Sequence, residues 1–201
     1  MIAVIDYGMG NLRSVQKGLE RVGLDARITD SPAALGSASG IVLPGVGAFA
    51  AAMANLRKAR LVEPLKKEIS AGKPYLGICL GLQLLFTSGE EGEGAEGLDV
   101  FKGRVVRFGQ GLKVPHMGWN QARIVKKEGV FEGVKDESFF YFVHSYHAVP
   151  EDEGIVAART EYGAEFVSAV ADGSVAAVQF HPEKSQKAGL ALLEAFGRLC
   201  G

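Results

Sequence analysis

The chain has little sulfur, little indole and no concentrated charge. Its 201 residues include two cysteines, Cys79 and Cys200, and one tryptophan, Trp119. One cysteine lies mid-chain and the other is penultimate, where chain ends fray, so a disulfide between them is not expected and Cys79 should be a free thiol. Twenty-two Lys and Arg against 23 Asp and Glu leave a formal charge of −1. No basic run accompanies that balance, which argues against a nucleic-acid partner. The longest apolar stretches fall well short of the ~18 to 20 residues that span a bilayer, so no membrane span is expected. The start, MIAVIDYG, carries neither a basic segment nor a cleavage site after an apolar one, and the expected location is the cytoplasm. Glycine alone is abundant, with 27 residues in 201. The glycines are dispersed, mostly at the ends of apolar runs, and read as turns rather than low complexity.

In the first half, strands and helices alternate. An apolar run at 2–6 ends in a turn, and helical spacing follows over 11–22 through Leu12, Val15, Leu19 and Val22. A weak strand is predicted at 26–29 and a buried one at 40–43. A helix is predicted over 48–69, broken near Pro64, then a strand at 75–79 and a helix at 81–86. Such repeated units argue for a parallel sheet with helices on both faces. The second half is richer in strands, predicted at 105–108, 123–125, 139–144, 155–159, 167–170 and 176–180. Gly173-Ser174 marks a hairpin. A closing helix is predicted over 187–199, and 88–97 (SGEEGEGAEG) reads as an acidic surface loop. The expected fold is α/β: one domain over 1–201, a mostly parallel central sheet covered by helices, and extra antiparallel strands in the second half.

Residues 77–81 read Gly-Ile-Cys-Leu-Gly between a buried strand and an apolar helix. This is the cysteine version of a nucleophile elbow, whose glycines permit a tight, crowded turn. The turn would push the Cys79 sulfur out of the strand end and toward the start of a helix, whose free N–H groups favour negative charge. The Leu80 N–H would point where an oxyanion forms. The plainer alternative is that Cys79 is a small buried hydrophobe. A nucleophilic cysteine needs a base, and His181 ends an apolar strand with Pro182 and Glu183 behind it. In an extended chain i and i+2 share a side, so Glu183 would orient the His181 imidazole. An exposed His-Pro-Glu turn is the alternative. His144 and His147 invite a metal reading, but their spacing on a strand puts them on opposite faces, and neither metal nor any other cofactor is expected. The segment Pro44-Gly45-Val46-Gly47 follows a strand at the edge where α/β sheets bind ligands, and offers backbone N–H groups.

GICLGLQ with a distant FHPEKS resembles the triad-type (class I) glutamine amidotransferases. DYGMGNLRSV (6–15), LPGVGAFAAAM (43–53), VPHMGWN (114–120) and YFVHSY (141–146) are similar to the glutaminase subunits of imidazole glycerol phosphate synthases, and the likeness runs from the first strand to the last helix. It implies hydrolysis of L-glutamine through a glutamyl thioester on Cys79, with His181 shuttling the proton and Glu183 orienting it. It implies that ammonia passes to a (β/α)8-barrel cyclase subunit, which makes imidazole glycerol phosphate and an aminoimidazole carboxamide ribotide in histidine biosynthesis. Gly47, Gln83, His144, Ser145 and Tyr146 match positions that hold the glutamine. Val46 matches an oxyanion donor that acts after its loop rearranges. Asn11, Met117, Trp119, Tyr141 and Lys184 match positions at the subunit interface and tunnel mouth, though Trp119 filling the core is the plainer reading of a lone indole. A barrel takes ~250 residues, so an acceptor is expected on a separate chain. A glutaminase of another pathway, a stand-alone γ-glutamyl hydrolase and a non-catalytic module on the same fold are the competing readings.

Overall fold

The computed structural model describes residues 1–92 and 94–201; Glu93, in the predicted acidic loop, lies outside them. The chain runs β1 (Ile2–Ile5), α1 (Leu12–Arg21), β2 (Ala26–Thr29), α2 (Pro32–Ser37), β3 (Gly40–Gly45), α3 (Phe49–Lys58), α4 (Val62–Ser70), β4 (Tyr75–Cys79) and α5 (Leu80–Gln83). It continues through β5 (Phe86–Gly89), β6 (Ala95–Glu96), β7 (Phe101–Arg107), β8 (His116–Ile124), β9 (Ser138–His144), β10 (Tyr146–Pro150), β11 (Val156–Tyr162), β12 (Ala164–Asp172), β13 (Val175–Val178) and α6 (Gln186–Leu199).

Strands β2-β1-β3-β4-β13 pair in parallel. β12 and β10 extend the sheet antiparallel, and β7, β5 and β6 complete its far side. β11 leaves β12 to pair with β8, which pairs in turn with β9 as a ribbon. β1, β3, β4 and β13 are buried on both faces, which is why they read as continuous apolar runs, whereas β2 at the edge is partly exposed. Alternate residues feed two cores. Ala3, Ile5, Ile41, Leu43 and Tyr75 pack with Leu35, Phe49, Met53, Leu56 and Leu65 from α2, α3 and α4. Ile2, Val4, Val42, Leu76 and Ile78 pack with Val15, Leu19, Leu192, Leu193 and Phe196 from α1 and α6.

Several boundaries differ from those predicted. The helix expected over 48–69 is two helices, interrupted where Arg60 takes φ 57. Pro64 is not the break: it sits in the first turn of α4, where a backbone N–H has no intrahelical acceptor to lose. The helix expected at 81–86 is only four residues long, and Phe86 opens β5 instead. The two ends of the segment 88–97, expected as a loop, pair as strands, Ser88 of β5 with Glu96 of β6 and Gly89 with Ala95. α2 and β10 were not predicted, and β8 begins seven residues before the 123–125 segment read as a strand. The hairpin at Gly173-Ser174 joins β12 to β13, with Asp172 opposite Val175.

β4 passes into α5 with no loop between them, and two glycines make that possible. A Cβ on Gly77 would lie 2.6 Å from the Gly81 carbonyl oxygen, and a Cβ on Gly81 would run into the carbonyl oxygen of Leu43 in β3. Gly81→Ala should therefore cost roughly 3 kcal/mol or more, as overpacking against a fixed backbone does. Urea unfolding measures this; an unchanged midpoint would mean that the β3–α5 contact gives way easily.

Candidate active site

The register of three neighbouring strands assembles the site. Gly45 pairs with Cys79 and Ile78 with Val178, so β3, β4 and β13 end together at one sheet edge. Cys79 takes φ 56 and ψ −107 between β4 and α5. A non-glycine residue with such a backbone costs roughly 1–3 kcal/mol and persists only where its surroundings impose it. Here the Gly77 and Gly81 contacts impose it. α5 is too short for a helix macrodipole to build up, so any support for negative charge comes from local N–H groups rather than from the dipole expected of a longer helix.

Cys79 lines a pocket of about 420 Å³. Val46, Gly47, Leu80, Gln83, His144, Ser145 and Tyr146 line it too, so the residues matched to glutamine binding and to the oxyanion share one cavity. Gly47 takes φ 98, and a Cβ there would lie 2.7 Å from the Met9 Cε. Glu91 also lines the pocket, and its carboxylate accepts a 2.7 Å hydrogen bond from the Phe49 N–H. Glu91 carries no signal in the sequence, since an acid in a Gly-rich acidic segment looks like any solvated one.

His181 and Glu183 meet through a turn rather than along an extended strand. Pro182–Lys184 forms a single 3-10 turn, with His181 capping it, and the His181 Nδ1 stands 2.8 Å from the Glu183 Oε1. Both side chains are almost wholly buried. Ser185 donates to the His181 carbonyl at 2.6 Å and accepts from the Tyr141 N–H at 3.0 Å, and the His181 N–H donates to the Tyr141 carbonyl at 2.9 Å. These bonds fix the turn to β9. Gly18 of α1 opens room for Glu183, whose Cβ would lie 3.3 Å from a Cβ there. Burial alone would lower the His181 pKa, but the interactions with Cys79 and Glu183 outweigh it and hold the imidazole up at about 10. Nε2 is buried and makes no hydrogen bond among the described residues. The arrangement provides a thiol at a strained turn, beside an imidazolium whose second nitrogen is anchored to a carboxylate. That chemistry suits nucleophilic attack on an acyl carbon with proton delivery to its leaving group.

His144 and His147 do not share a site. The Nδ1 of His144 is 2.8 Å from the Tyr146 carbonyl oxygen and its Nε2 is 3.0 Å from the His116 Nδ1, which uses both nitrogens. Burial pushes His144 down to about 3 and His116 to about 4, so both are neutral.

The residues matched to a subunit interface divide between two places. Asn11 caps α1, its side-chain oxygen accepting from the Ser14 N–H at 3.4 Å. Gly10 beside it approaches the Pro44–Gly45 backbone. On the β8–β9 ribbon Trp119 pairs with Tyr141 and Met117 with Val143, and Lys184 lies 5.7 Å from the Tyr141 ring centroid. Trp119 is not a core residue: it is 47% exposed, with Met117 at 62% and Phe139 at 54%. Among the described residues, no helix is long and apolar enough to cross a membrane.

A relative in Syntrophotalea carbinolica, named imidazole glycerol phosphate synthase subunit HisH, is 54% identical, the match covering 98% of this chain and 99% of that one. A protein of the same name in Aquifex aeolicus is 53% identical over 97% and 95%. Among solved structures, one described as a glutamine amidotransferase superposes with a TM-score of 0.79 at 21% identity over the whole of both chains. The structure of PurLQS from Thermotoga maritima gives 0.78 at 19% identity, over 97% of this chain and 96% of that one. These two likenesses concern the fold. The family model described as glutamine amidotransferase class-I matches residues 3–198, and this chain belongs to that family.

Proposed function

We propose that residues 1–201 form one glutaminase domain, the ammonia-producing subunit of an imidazole glycerol phosphate synthase, acting in histidine biosynthesis. The observation that carries the glutaminase reading is the buried His181–Glu183 pair beside Cys79, which itself lines the 420 Å³ pocket. The choice of pathway rests on the half-identical relatives and their names. The cyclase as partner is supported by the apolar face of β8 and β9, which runs up to the pocket through Val143.

The Cys79 sulfur attacks the side-chain amide carbon of glutamine, forming a C–S bond. The oxygen takes up the charge against N–H groups of Leu80 and Val46. The amide nitrogen takes the proton from the His181 Nε2 as the C–N bond breaks, and ammonia leaves. His181 then removes a proton from water, the water oxygen attacks the thioester carbon, and glutamate departs as the C–S bond breaks. Glu183 keeps the His181 Nδ1 protonated and the ring in place throughout. Gln83 and the backbone around His144, Ser145 and Tyr146 hold the amino-acid end of the substrate, and Gly47 contacts it from the oxyanion loop. Asn11, Met117, Trp119, Tyr141 and Lys184 meet the cyclase.

The first test is glutamate release by the chain alone and with a cyclase barrel loaded with its ribotide. Cys79→Ala should abolish release, while the complex still makes product from added ammonium salt; loss of ammonium-dependent synthesis would give Cys79 a structural role instead. Glu183→Gln should cost less in kcat than His181→Ala, since orienting a base matters less than being one, and the reverse order would overturn these roles. Trp119→Ala should weaken association with the cyclase by about 2 kcal/mol, measured by calorimetry, and unchanged affinity would move the interface elsewhere.

The charge on His181 also sets a pH dependence. Its pKa is about 10 in the folded chain against an ordinary 6.5. A raised pKa contributes stability that is fully present below the unfolded value and is lost as pH rises through the folded one. Wild type should therefore lose stability relative to His181→Gln between about pH 6.5 and pH 10. Parallel urea-unfolding curves for the two proteins across that window would exclude His181 as the source.

A further inference from the structure

Seven residues form an unbroken hydrogen-bonded chain from β8 to the thiol. The Asn120 Nδ2 donates to the Glu161 carbonyl at 2.9 Å and stands 3.2 Å from the His116 Nε2. The His116 Nδ1 is 3.0 Å from the His144 Nε2, and the His144 Nδ1 is 2.8 Å from the Tyr146 carbonyl oxygen. Gln83 donates through Nε2 to that same carbonyl at 3.0 Å and to the Gln179 Oε1 at 3.1 Å. The Gln179 Nε2 then donates to the Cys79 sulfur at 3.7 Å. Gln83, His116, His144 and Gln179 are all buried, Gln179 completely.

Every proton in this chain has one possible place. The Tyr146 carbonyl only accepts, so the His144 Nδ1 carries hydrogen and its Nε2 is bare. A bare Nε2 requires hydrogen on the His116 Nδ1, and the second His116 nitrogen then accepts from Asn120. Stacking on Tyr162, with centroids 4.0 Å apart, and on Phe142, at 4.9 Å, holds the His116 ring in that orientation. Because Gln83 donates to Gln179, the Gln179 amide cannot flip: a flip would set two NH2 groups against each other and turn an oxygen toward the sulfur. The Val143 carbonyl, 4.0 Å from the sulfur, only accepts and cannot support a thiolate, and His181 reaches the sulfur from a separate turn.

We infer that Gln179 is a positioning residue for Cys79, its N–H aimed at the sulfur by this chain so that the thiolate is held toward the pocket. The inference rests on the reading of Cys79 as the nucleophile. It gives a role to a fully buried glutamine on the segment between β13 and His181.

The test uses Gln179→Met, which removes the donor at similar volume. Alkylation of Cys79 by iodoacetamide, followed by mass spectrometry of its peptide, should slow about tenfold at neutral pH and match wild type at strongly alkaline pH, where every thiol is ionised. In complex with the cyclase, kcat for glutamine hydrolysis should fall about tenfold, with KM changed by less than about twofold. His116→Phe, which keeps the ring stacking and cuts the chain at its middle, should give the same pattern at about threefold, and it carries the test if Gln179→Met does not fold. Wild-type alkylation and kcat in the variants would overturn the inference, as would slowing that is equal at neutral and alkaline pH, which would be steric. A wild-type chain that releases no glutamate with the cyclase present would instead defeat the glutaminase reading.

Discussion

The Gly81 backbone lies against the Leu43 carbonyl more closely than any side chain would allow, and this contact sets the geometry of everything downstream. It brings α5 onto the end of β3, which forces β4 to turn sharply at Cys79 and gives that residue its positive φ. The strain at Cys79 is thus balanced by packing between two strand ends and a single helical turn. The segment Pro44–Gly47 belongs to the same assembly, since Gly45, the last residue of β3, pairs with Cys79 of β4. A change at one of these backbones moves the nucleophile and the loop together.

The second constraint is electrostatic. His181 and Glu183 are buried almost completely, and an ion pair so placed is costly to assemble unless every remaining polar group nearby is satisfied. Ser185 and the Tyr141 backbone satisfy the turn, but among the described residues the His181 Nε2 and the Glu183 Oε2 make no hydrogen bond. Unsatisfied buried atoms beside a strained nucleophile are the marks of a site shaped for a passenger rather than for stability. The chain from Asn120 to Gln179 is the converse: every member is partnered, and its rigidity follows from that completeness.

What the sequence could say depended on how local each feature is. The elbow and the His-Pro-Glu segment were legible because five and three neighbouring residues carry them. The alternation of strand and helix gave the parallel half, since fully buried strands leave plain apolar runs. α2 was invisible, because Pro-Ala-Ala-Leu-Gly-Ser has one large apolar residue and no period to read. Most of β8 was missed, because Gly118 and Asn120 interrupt its alternation. Gln179 was read as part of a strand, and nothing nearby marks it: its partners Gln83 and Cys79 stand 96 and 100 positions away. Glu91 was hidden by composition, and the fold alone brings it to the pocket. The family resemblance supplied Gly47, Gln83, His144, Ser145 and Tyr146, which no spacing argument would have gathered.

The outward pleat of the β8–β9 ribbon places Met117, Trp119, Phe139 and Tyr141 side by side, with the first three largely open to water. Apolar area left in water costs about 25 cal/mol for each Å², so a free copy in solution sits above the free energy of any copy whose ribbon is covered. Mass action then ties the behaviour of the isolated chain to its concentration. Dilute, it stays dispersed; crowded, it is drawn toward whatever apolar surface is nearest, including another molecule of itself. Handling this protein by itself is therefore a colloidal problem as much as an enzymological one.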